Sequence, residues 1–284
     1  MCRLFAQVAP QRASARDFLA DSKYSLLKQS DADPKNPQKD GWGLAWFGED
    51  GSARVVKSGR PASDEASRFT AAADEALSSV VVGHIRAASK GIGIDDARAH
   101  PFSDEGWVFA HNGTLFIHRE VAAELGARRA RLTTDSDSEV YFQQFLKFLA
   151  EGKDASASFE ACIAENWRLW EKCRSKYPEL AGPYSSLNAI ASNGNGIHAL
   201  CHAAHRGLAE HGVCHADQPW SVMSFAVRDG RFLLASEGVD GGEWTRLLPP
   251  ETISAAPSAA GVEIRRRRLA LSSSEGPVPE VSRK

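Results

Sequence analysis

The residue that most directly suggests chemistry is Cys2, which follows Met1 at the start of the chain. Removal of the initiator methionine would leave Cys2 with a free α-amine beside its thiol. These groups titrate near about 8 and about 8.5 when unperturbed, so the amine can accept the thiol proton close to neutral pH. A nucleophile and its base would then lie within one residue. If Met1 is retained, Cys2 has no free amine and the chain is an unprocessed precursor.

Three further stretches carry polar residues beside predicted strands or helices. A cysteine amidase that acts on a free amino-acid end needs donors for an oxyanion, a cation for the α-carboxylate and an anion for the α-ammonium. The stretches contain a candidate for each of these groups. They are Gly83-His84-Ile85-Arg86-Ala87-Ala88-Ser89 with Ala99-His100-Pro101-Phe102 beyond it, Phe109-Ala110-His111-Asn112-Gly113-Thr114-Leu115, and Thr134-Asp135-Ser136-Asp137-Ser138-Glu139-Val140.

Four residues in these stretches are candidates for the amidase groups. Asn112 and Gly113 follow an apolar strand, where a side-chain N–H and a backbone N–H can both donate to a developing oxyanion. Losing one such donor typically costs about 3–4 kcal/mol, and glycine permits a close backbone approach. Arg86 ends a predicted buried strand and can bind a carboxylate through two parallel hydrogen bonds. Asp137 lies just before a predicted helix and can hold an ammonium group.

Each of these residue types also has a purely structural interpretation. An Asn-Gly pair commonly forms a type I′ turn, and Arg86 can form a structural ion pair. Asp137 can be a helix N-cap, with Ser136 and Ser138 as competitors. His100 can be a packed or hydrogen-bonded core histidine. The individual residues therefore leave the function open, and only their ordered combination favours catalysis.

The composition limits the other classes of function. The 284 residues carry a net charge of −2 and an isoelectric point near 6.5, which favours neither nucleic acid nor an anionic membrane as a partner. The only basic run, at residues 265–268, is interpreted as a solvated strand or tail. We find no apolar run long enough for a membrane span and no signal peptide. The five cysteines include no C-x-x-C pair, which favours a reduced, cytoplasmic setting.

The elements that must position these residues follow from periodicity and turn signals. Strands are predicted at residues 2–8, 41–47, 53–57, 80–86 and 107–111, helices at 63–77, 138–149 and 156–176, and strands again at 187–191, 197–201, 220–227 and 232–236. Residues 193–196 and 229–230 favour hairpin turns. We predict one α+β domain over residues 2–270, with two sheets between helix layers. Residues 271–284 are predicted to form a flexible tail.

The ordered set of Cys2, Gly-His-Ile-Arg, Ala-His-Pro-Phe, His-Asn-Gly and Ser-Asp-Ser-Glu resembles the class II glutamine amidotransferases. The opening Met-Cys-Arg-Leu-Phe and the Asp-Gly-Trp-Gly at residues 40–43 are most similar to the stand-alone, YafJ-type branch. That branch includes γ-glutamyl hydrolases of ergothioneine biosynthesis and glutathione breakdown. The resemblance implies the four-layer αββα fold of the N-terminal nucleophile hydrolases. Residues 87–90 depart from the Trp-Ala-Thr-His that usually follows the arginine in synthase-linked members.

The resemblance also implies a reaction. Cys2 matches the nucleophile of the family, and Asn112 and Gly113 match its oxyanion-hole pair. The implied activity is hydrolysis of glutamine or of a larger γ-glutamyl compound through a γ-glutamyl thioester, with release of glutamate and without a metal or organic cofactor. If glutamine is the substrate, a separate partner protein would receive the ammonia. The alternative is a non-catalytic glutamine-binding or regulatory subunit on the same fold.

The remaining matched positions concern substrate binding. Arg86 matches the arginine that binds the substrate carboxylate, and Asp137 matches the aspartate that binds the α-amine. Asp135 lies in a similar context two residues earlier, so a shifted register is possible, but the Glu-Val that follows favours Asp137. Ser89 and His100 match further positions in the substrate pocket.

A second cluster of polar residues lies outside these motifs. His202, His205, His211, Cys214 and His215 fall within fourteen residues and include types that bind zinc. Their spacing matches no standard zinc finger or knuckle. We therefore interpret this stretch as a polar loop near the rim of the site, with zinc binding as the alternative.

Overall fold

The structure of the protein, a computed structural model, describes residues 2–33, 37–88, 93–204 and 221–271. Within these ranges the strands form two antiparallel sheets, labelled here in chain order. The first sheet contains, in spatial order, β11 (Thr245–Arg246), β9 (Ser224–Arg228), β10 (Arg231–Ala235), β1 (Arg3–Ala13), β4 (Ser78–Ile85), β2 (Trp42–Phe47) and β3 (Ala53–Ser58). The second sheet contains β13 (Gly261–Arg268), β12 (Glu251–Ser258), β8 (Ile197–Cys201), β7 (Asn188–Ser192), β6 (Trp107–Asn112) and β5 (Phe102–Asp104).

The helices lie outside the two sheets. They are α1 (Leu26–Gln29), α2 (Ala66–Glu75), α3 (His118–Ala123), α4 (Asp137–Ala150) and α5 (Ala155–Cys173), together with a π-helical turn at Asp17–Asp21 and 3₁₀ turns at Gly126–Arg131 and Arg174–Lys176. None of the helices in the described residues has the length and apolarity needed to cross a bilayer.

Three hydrophobic cores define the order of the layers. The inner faces of the two sheets meet in one core, to which β1 contributes Leu4, Ala6 and Val8. The opposite face of the first sheet packs against α1 and α2. The outer face of the second sheet packs against α3, α4 and α5. Because the side chains of a strand alternate between faces, β1 contributes both to the core between the sheets and to the core beneath α1 and α2. The protein therefore has the predicted α+β, four-layer αββα architecture.

Most of the elements expected from the sequence are present. The hairpins predicted at residues 193–196 and 229–230 join β7 to β8 and β9 to β10, and Gly194 and Gly230 have the positive φ that such turns require. The hairpin of β12 and β13 was not predicted, and neither were the short helices α1 and α3. Strands from before and after the long helices α4 and α5 contribute to both sheets.

The arrangement of β1 and β4 matters most for the candidate residues. β1 lies near the middle of the first sheet, paired on one side with β10 and on the other with β4. The pairing of Arg3 with Ile85 brings the start of β1 beside the end of β4. Cys2 and Arg86 directly adjoin these paired residues, so they become neighbours although 84 positions separate them in the sequence.

Candidate active site

Cys2 lies at the entry to β1, in a buried position against the segment that follows β4. Its Sγ lies 3.4 Å from the backbone N of Ala87, which donates to it, and 3.4 Å from the carbonyl O of Ala87. Burial raises the pKa of the Cys2 thiol, and the charge of Asp137 adds the smallest effect in the same direction. The hydrogen bond from the backbone N of Ala87 and the charge of Arg86 lower this pKa, by less than burial raises it. The thiol therefore needs a base before it can act as a nucleophile.

A small cavity adjoins the Cys2 thiol. Its volume of about 20 Å³ is enough for about one water molecule. Five of the seven residues predicted from the sequence line this cavity: Cys2, Arg86, His100, Gly113 and Asp137. Asn112, the sixth, immediately precedes Gly113 at the end of β6. The seventh, Ser89, lies outside the described residues. The fold thus gathers residues that are up to 135 positions apart in the sequence around one thiol.

The pair Asn112 and Gly113 lies where β6 ends, and Gly113 lines the cavity. A Cβ atom on Gly113 would lie 1.9 Å from the carbonyl O of Ser186, so only glycine allows this close backbone approach. Asn112 is almost fully buried, and its Nδ2 has no hydrogen-bond partner in the described part of the chain. A buried donor without a partner costs about 1–3 kcal/mol. Such a donor is suited to an acceptor that arrives with a substrate.

Arg86 is a buried cation without a carboxylate partner among the described residues. The residue is 3% exposed, and its Nη1 donates to two backbone carbonyls, those of Asp40 at 3.2 Å and Gly93 at 3.0 Å. Its side chain forms no ion pair in that part of the chain. A buried guanidinium that lacks a counter-ion is suited to a carboxylate or phosphate ligand, which it can bind through two parallel hydrogen bonds.

Asp137 supplies the opposite charge. It is the first residue of α4 and is 6% exposed, and its Oδ2 accepts a hydrogen bond of 2.8 Å from the backbone N of Leu115. Within the described residues it forms no ion pair. Ser136 occupies the N-cap position, so the capping interpretation of Asp137 does not hold. Asp135 is exposed and pairs with Arg98, away from the cavity, so the register favours Asp137.

His100 contributes an uncharged imidazole to the wall of the cavity. Burial holds the pKa of His100 well below its ordinary value, with smaller effects in the same direction from nearby histidines. Its ring packs at a tilt of 34° against His84, with centroids 4.3 Å apart, and meets Phe102 edge-on at 4.8 Å. Neither ring nitrogen has a partner in the described residues. His100 can therefore donate one hydrogen bond and accept another from a ligand.

The segment at residues 40–43 packs against three residues that line the cavity. The Oδ2 of Asp40 accepts a hydrogen bond of 2.7 Å from the backbone N of Ala88, and backbone hydrogen bonds join Asp40 and Gly41 to Arg86. A Cβ on Gly43 would lie 2.2 Å from the carbonyl O of His100. The sequence marked this segment only as part of a resemblance. The signal in the sequence was the pair of glycines at positions 41 and 43, since glycine allows the close backbone packing seen here.

Most of the histidine cluster predicted near residue 202 lies outside the described residues. His202 itself is buried, and its Nε2 lies 2.8 Å from the hydroxyl of Tyr184. Burial lowers the pKa of His202 to about 4. In the ranges that the structure describes, no group of three or more histidine, cysteine, aspartate or glutamate side chains is placed to hold a metal ion.

Comparison with known proteins identifies the family. The family model for class II glutamine amidotransferases matches residues 1–229, and the chain belongs to this family. It is 30% identical over 199 residues to the gamma-glutamyl-hercynylcysteine sulfoxide hydrolase of Mycolicibacterium smegmatis, covering 69% of this chain and 76% of that protein. It is 36% identical over 87 residues to the glutamine–fructose-6-phosphate aminotransferase of Chlamydia pneumoniae, which covers 30% of this chain and only 14% of that protein.

Solved structures support the same fold. A glutamine aminotransferase class-II domain protein from Silicibacter pomeroyi aligns with 94% of this chain and 100% of its own, at a TM-score of 0.63 and 19% identity. The glutamine phosphoribosylpyrophosphate amidotransferase of B. subtilis aligns with 93% of this chain and 49% of its own, at a TM-score of 0.58 and 14% identity. The αββα sandwich is therefore of the N-terminal nucleophile hydrolase type, and the protein is a C–N bond hydrolase of the amidotransferase family.

Proposed function

We propose that the protein hydrolyses γ-glutamyl amides with Cys2 as nucleophile. The observation that carries this proposal is that one thiol meets two buried groups of opposite charge, Arg86 and Asp137, neither of which is ion-paired within the described residues. A free glutamyl end bears one carboxylate and one ammonium group, so it supplies the partner that each side chain lacks. Membership of the family supports the same class of reaction.

The first half of the proposed reaction forms a thioester. After removal of Met1, the α-amine of Cys2 accepts the thiol proton and Sγ attacks the γ-carbonyl carbon of the substrate. The side-chain amide of Asn112 and the backbone N–H of Gly113 donate hydrogen bonds to the oxyanion. The C–N bond then breaks, and the leaving nitrogen takes the proton from the α-ammonium of Cys2. The products are a γ-glutamyl thioester and a free amine, or ammonia if the substrate is glutamine.

The second half of the reaction releases glutamate. A water molecule attacks the thioester carbonyl and gives its proton to the α-amine of Cys2, while the same two donors stabilise the second oxyanion. The C–S bond breaks and Sγ recovers the proton from the α-ammonium. The sum is amide plus water to glutamate plus amine, with no metal or organic cofactor. Because burial raises the pKa of the thiol, the free α-amine is essential to both halves.

We favour a larger γ-glutamyl compound over glutamine as the substrate. The relative that matches 69% of this chain is named as a hydrolase of a γ-glutamyl compound, whereas the match to a glutamine-dependent aminotransferase covers 30%. A plain hydrolase needs no second protein to receive ammonia. The same proposal includes a cytoplasmic location, because a free thiol and amine at one residue persist best in a reducing compartment.

The test compares glutamate release from L-glutamine and from a panel of γ-glutamyl amides for three proteins. These are the wild type, Cys2→Ser and a matched control, Cys173→Ser, which alters a buried cysteine at the end of α5. We expect turnover by the wild type and the control and none by Cys2→Ser. The best substrate identifies the leaving group.

Mass measurement of the intact wild-type protein completes this test. If Met1 is absent and no substrate releases glutamate, the proposed function is wrong. That outcome favours a non-catalytic glutamine-binding or regulatory subunit on the same fold. If Cys2→Ser retains wild-type turnover, the nucleophile is wrong even though the activity is present.

A further inference from the structure

We propose that His111 is a positioning residue that fixes the oxyanion donors relative to the carboxylate of Asp137. The proposal rests on the proposed function, because it assigns roles to Gly113 and Asp137 in binding and turnover. The resemblance described in the sequence analysis gives His111 no role in substrate binding or catalysis. It lies on β6 directly before Asn112, and it is 1% exposed.

The ring of His111 bridges two parts of the site. Its Nδ1 lies 3.0 Å from the hydroxyl of Ser138, which follows Asp137 in the first turn of α4. Its Nε2 lies 3.0 Å from the carbonyl O of Ser186, the same atom against which Gly113 packs. One imidazole therefore joins the helix that carries the ammonium-binding carboxylate to the backbone that confines the oxyanion donor.

The two partners determine where the proton of the ring lies. A carbonyl oxygen can only accept, so Nε2 carries the hydrogen and donates it to Ser186. In the neutral ring Nδ1 is then an acceptor, and the hydroxyl of Ser138 donates to it. Burial lowers the pKa of His111, while the charge of Asp137 raises it to a smaller extent. The neutral form with its proton on Nε2 satisfies both neighbours at once.

A third link ties the same residue to the other sheet. The carbonyl O of His111 accepts a hydrogen bond of 3.2 Å from Nε2 of His84 on β4. β4 leads directly into Arg86, the candidate for carboxylate binding. The main chain and side chain of one residue thus connect the segments that carry all three recognition groups: the anion, the cation and the oxyanion donors.

The two ring contacts have separable consequences. Loss of the Ser138 contact frees the first turn of α4, which holds Asp137, and should weaken substrate binding. Loss of the Ser186 contact frees the backbone around Gly113, and should weaken stabilisation of the oxyanion. If His111 only stabilised the core, its substitution would change KM and kcat together or change neither.

The experiment uses amide side chains that each reproduce one of the two nitrogens. His111→Gln places an amide N–H near the position of Nε2 and retains the donor to Ser186. His111→Asn places an amide oxygen near Nδ1 and retains the acceptor for Ser138. Ser138→Ala removes the same contact as His111→Gln without altering the ring. Ser192→Ala is the control, because it deletes a buried hydroxyl that donates to Gly196 at the other end of β7.

The measurement is kcat and KM with the best γ-glutamyl substrate. We expect Ser138→Ala and His111→Gln to raise KM about tenfold with kcat within about twofold, as for the loss of one hydrogen bond. We expect His111→Asn to lower kcat about tenfold or more with KM within about threefold. Ser192→Ala should match the wild type. Equal changes of both parameters in all three site variants, or no change in Ser138→Ala, would overturn the proposal.

A binding measurement separates this proposal from the proposed function. If the wild type turns over no substrate, the proposed function fails, and the affinity of Cys2→Ala for glutamine then tests the positioning role. Adding Ser138→Ala to that protein should weaken binding about tenfold, whereas adding His111→Asn should change it less than about threefold. If His111→Asn weakens binding more than Ser138→Ala does, the proposed role of His111 is wrong. The Ser138 variant keeps the test valid if substitution of His111 prevents folding.

Discussion

Arg86 and Asp137 are buried charges of opposite sign, and the described residues supply neither with a counter-ion. Arg86 donates to two carbonyl oxygens and Asp137 accepts one backbone N–H, which compensates only part of the cost of removing an ion from water. Asp137 also lies at the first residue of α4, where the helix dipole favours a negative charge. A zwitterionic glutamyl end completes both interactions, so these residues are expected to act mainly in substrate binding.

The pair Asp137→Asn and Asp135→Asn tests this assignment. Asp137→Asn keeps an acceptor for the N–H of Leu115 but removes the charge that holds the substrate ammonium. We expect kcat/KM to fall about 30- to 150-fold, which corresponds to about 2–3 kcal/mol for a hydrogen bond to a charged group. Asp135→Asn, which alters an exposed partner of Arg98, should stay within about twofold of the wild type. A larger effect at Asp135 would contradict the assignment.

The site residues differ in how far the sequence could reveal them. Cys2, Arg86, Gly113 and Asp137 belong to short motifs whose residue types fit one chemistry, so their grouping was predictable. The contact of His111 with Ser186 was not, because it spans 75 positions and depends on the pairing of β6 with β7. Local patterns identify which groups can react, whereas the contacts that hold them in place depend on tertiary neighbours.

The hairpin of β12 and β13 is the largest of the elements that sequence patterns missed. β13 carries Arg265–Arg268 and lies at the edge of the second sheet, where polar side chains are tolerated on both faces. The resulting run lacks the alternation of apolar and polar residues that marks a half-buried strand. Tertiary pairing decides its structure, since each residue of β13 opposes one of β12 from Glu251 to Ser258.

The arginines of β13 differ in what they contact, although they are adjacent in sequence. Arg266 forms a short ion pair with the buried carboxylate of Glu251 and lies over the ring of Phe225. Arg265 pairs with the exposed Glu263. Removal of Arg266 would leave a buried carboxylate without its cation.

Two alanine variants measure this difference within one strand. We expect Arg266→Ala to lower the free energy of unfolding by about 2 kcal/mol, because it removes the partner of a buried charge and a contact with an aromatic ring. Arg265→Ala should change it by less than about 0.5 kcal/mol, as for an exposed ion pair. Urea unfolding at neutral pH gives both values. Equal effects of the two substitutions would show that the contact with Glu251 does not stabilise the sheet.

At the scale of the whole molecule, the order of elements along the chain predicted the layers of the fold but not which strands are neighbours within each sheet. Strands on either side of two long helices suggested two sheets between helix layers. The central place of β1, between β4 and β10, could not be read from periodicity, since antiparallel strands of equal apolarity can pair in many orders. This pairing is what brings the start of the chain to the end of β4.

The buried histidines make the stability of the whole fold dependent on pH. Burial lowers the pKa of His84 to about 3 and that of His202 to about 4, whereas an unfolded histidine titrates near 6.5. Below pH 6.5 the unfolded chain therefore binds protons that the folded chain excludes. The free energy of unfolding falls as pH decreases from about 6.5 toward these folded values. Each of the two imidazoles accounts for about 1 kcal/mol between pH 6 and pH 5.

His84→Gln isolates one of these contributions. The amide can still donate to the carbonyl O of His111 but does not titrate. Between pH 6 and pH 5, the variant should lose about 1 kcal/mol less stability than the wild type in urea unfolding. Between pH 8 and pH 7.5 the two proteins should show the same dependence, because the imidazole is neutral in both states there. A wild-type slope in the variant at low pH would contradict a neutral buried His84.

The central pairing of β1 has a consequence for how the protein matures. During synthesis the N-terminal end of the chain leaves the ribosome first, but β1 acquires its β10 neighbour only after residue 235 has been made. On the proposed mechanism, Met1 must be removed before the enzyme can act, because only then does Cys2 carry a free α-amine. Synthesis of the residues between the two strands thus leaves time for this processing before the first sheet is complete.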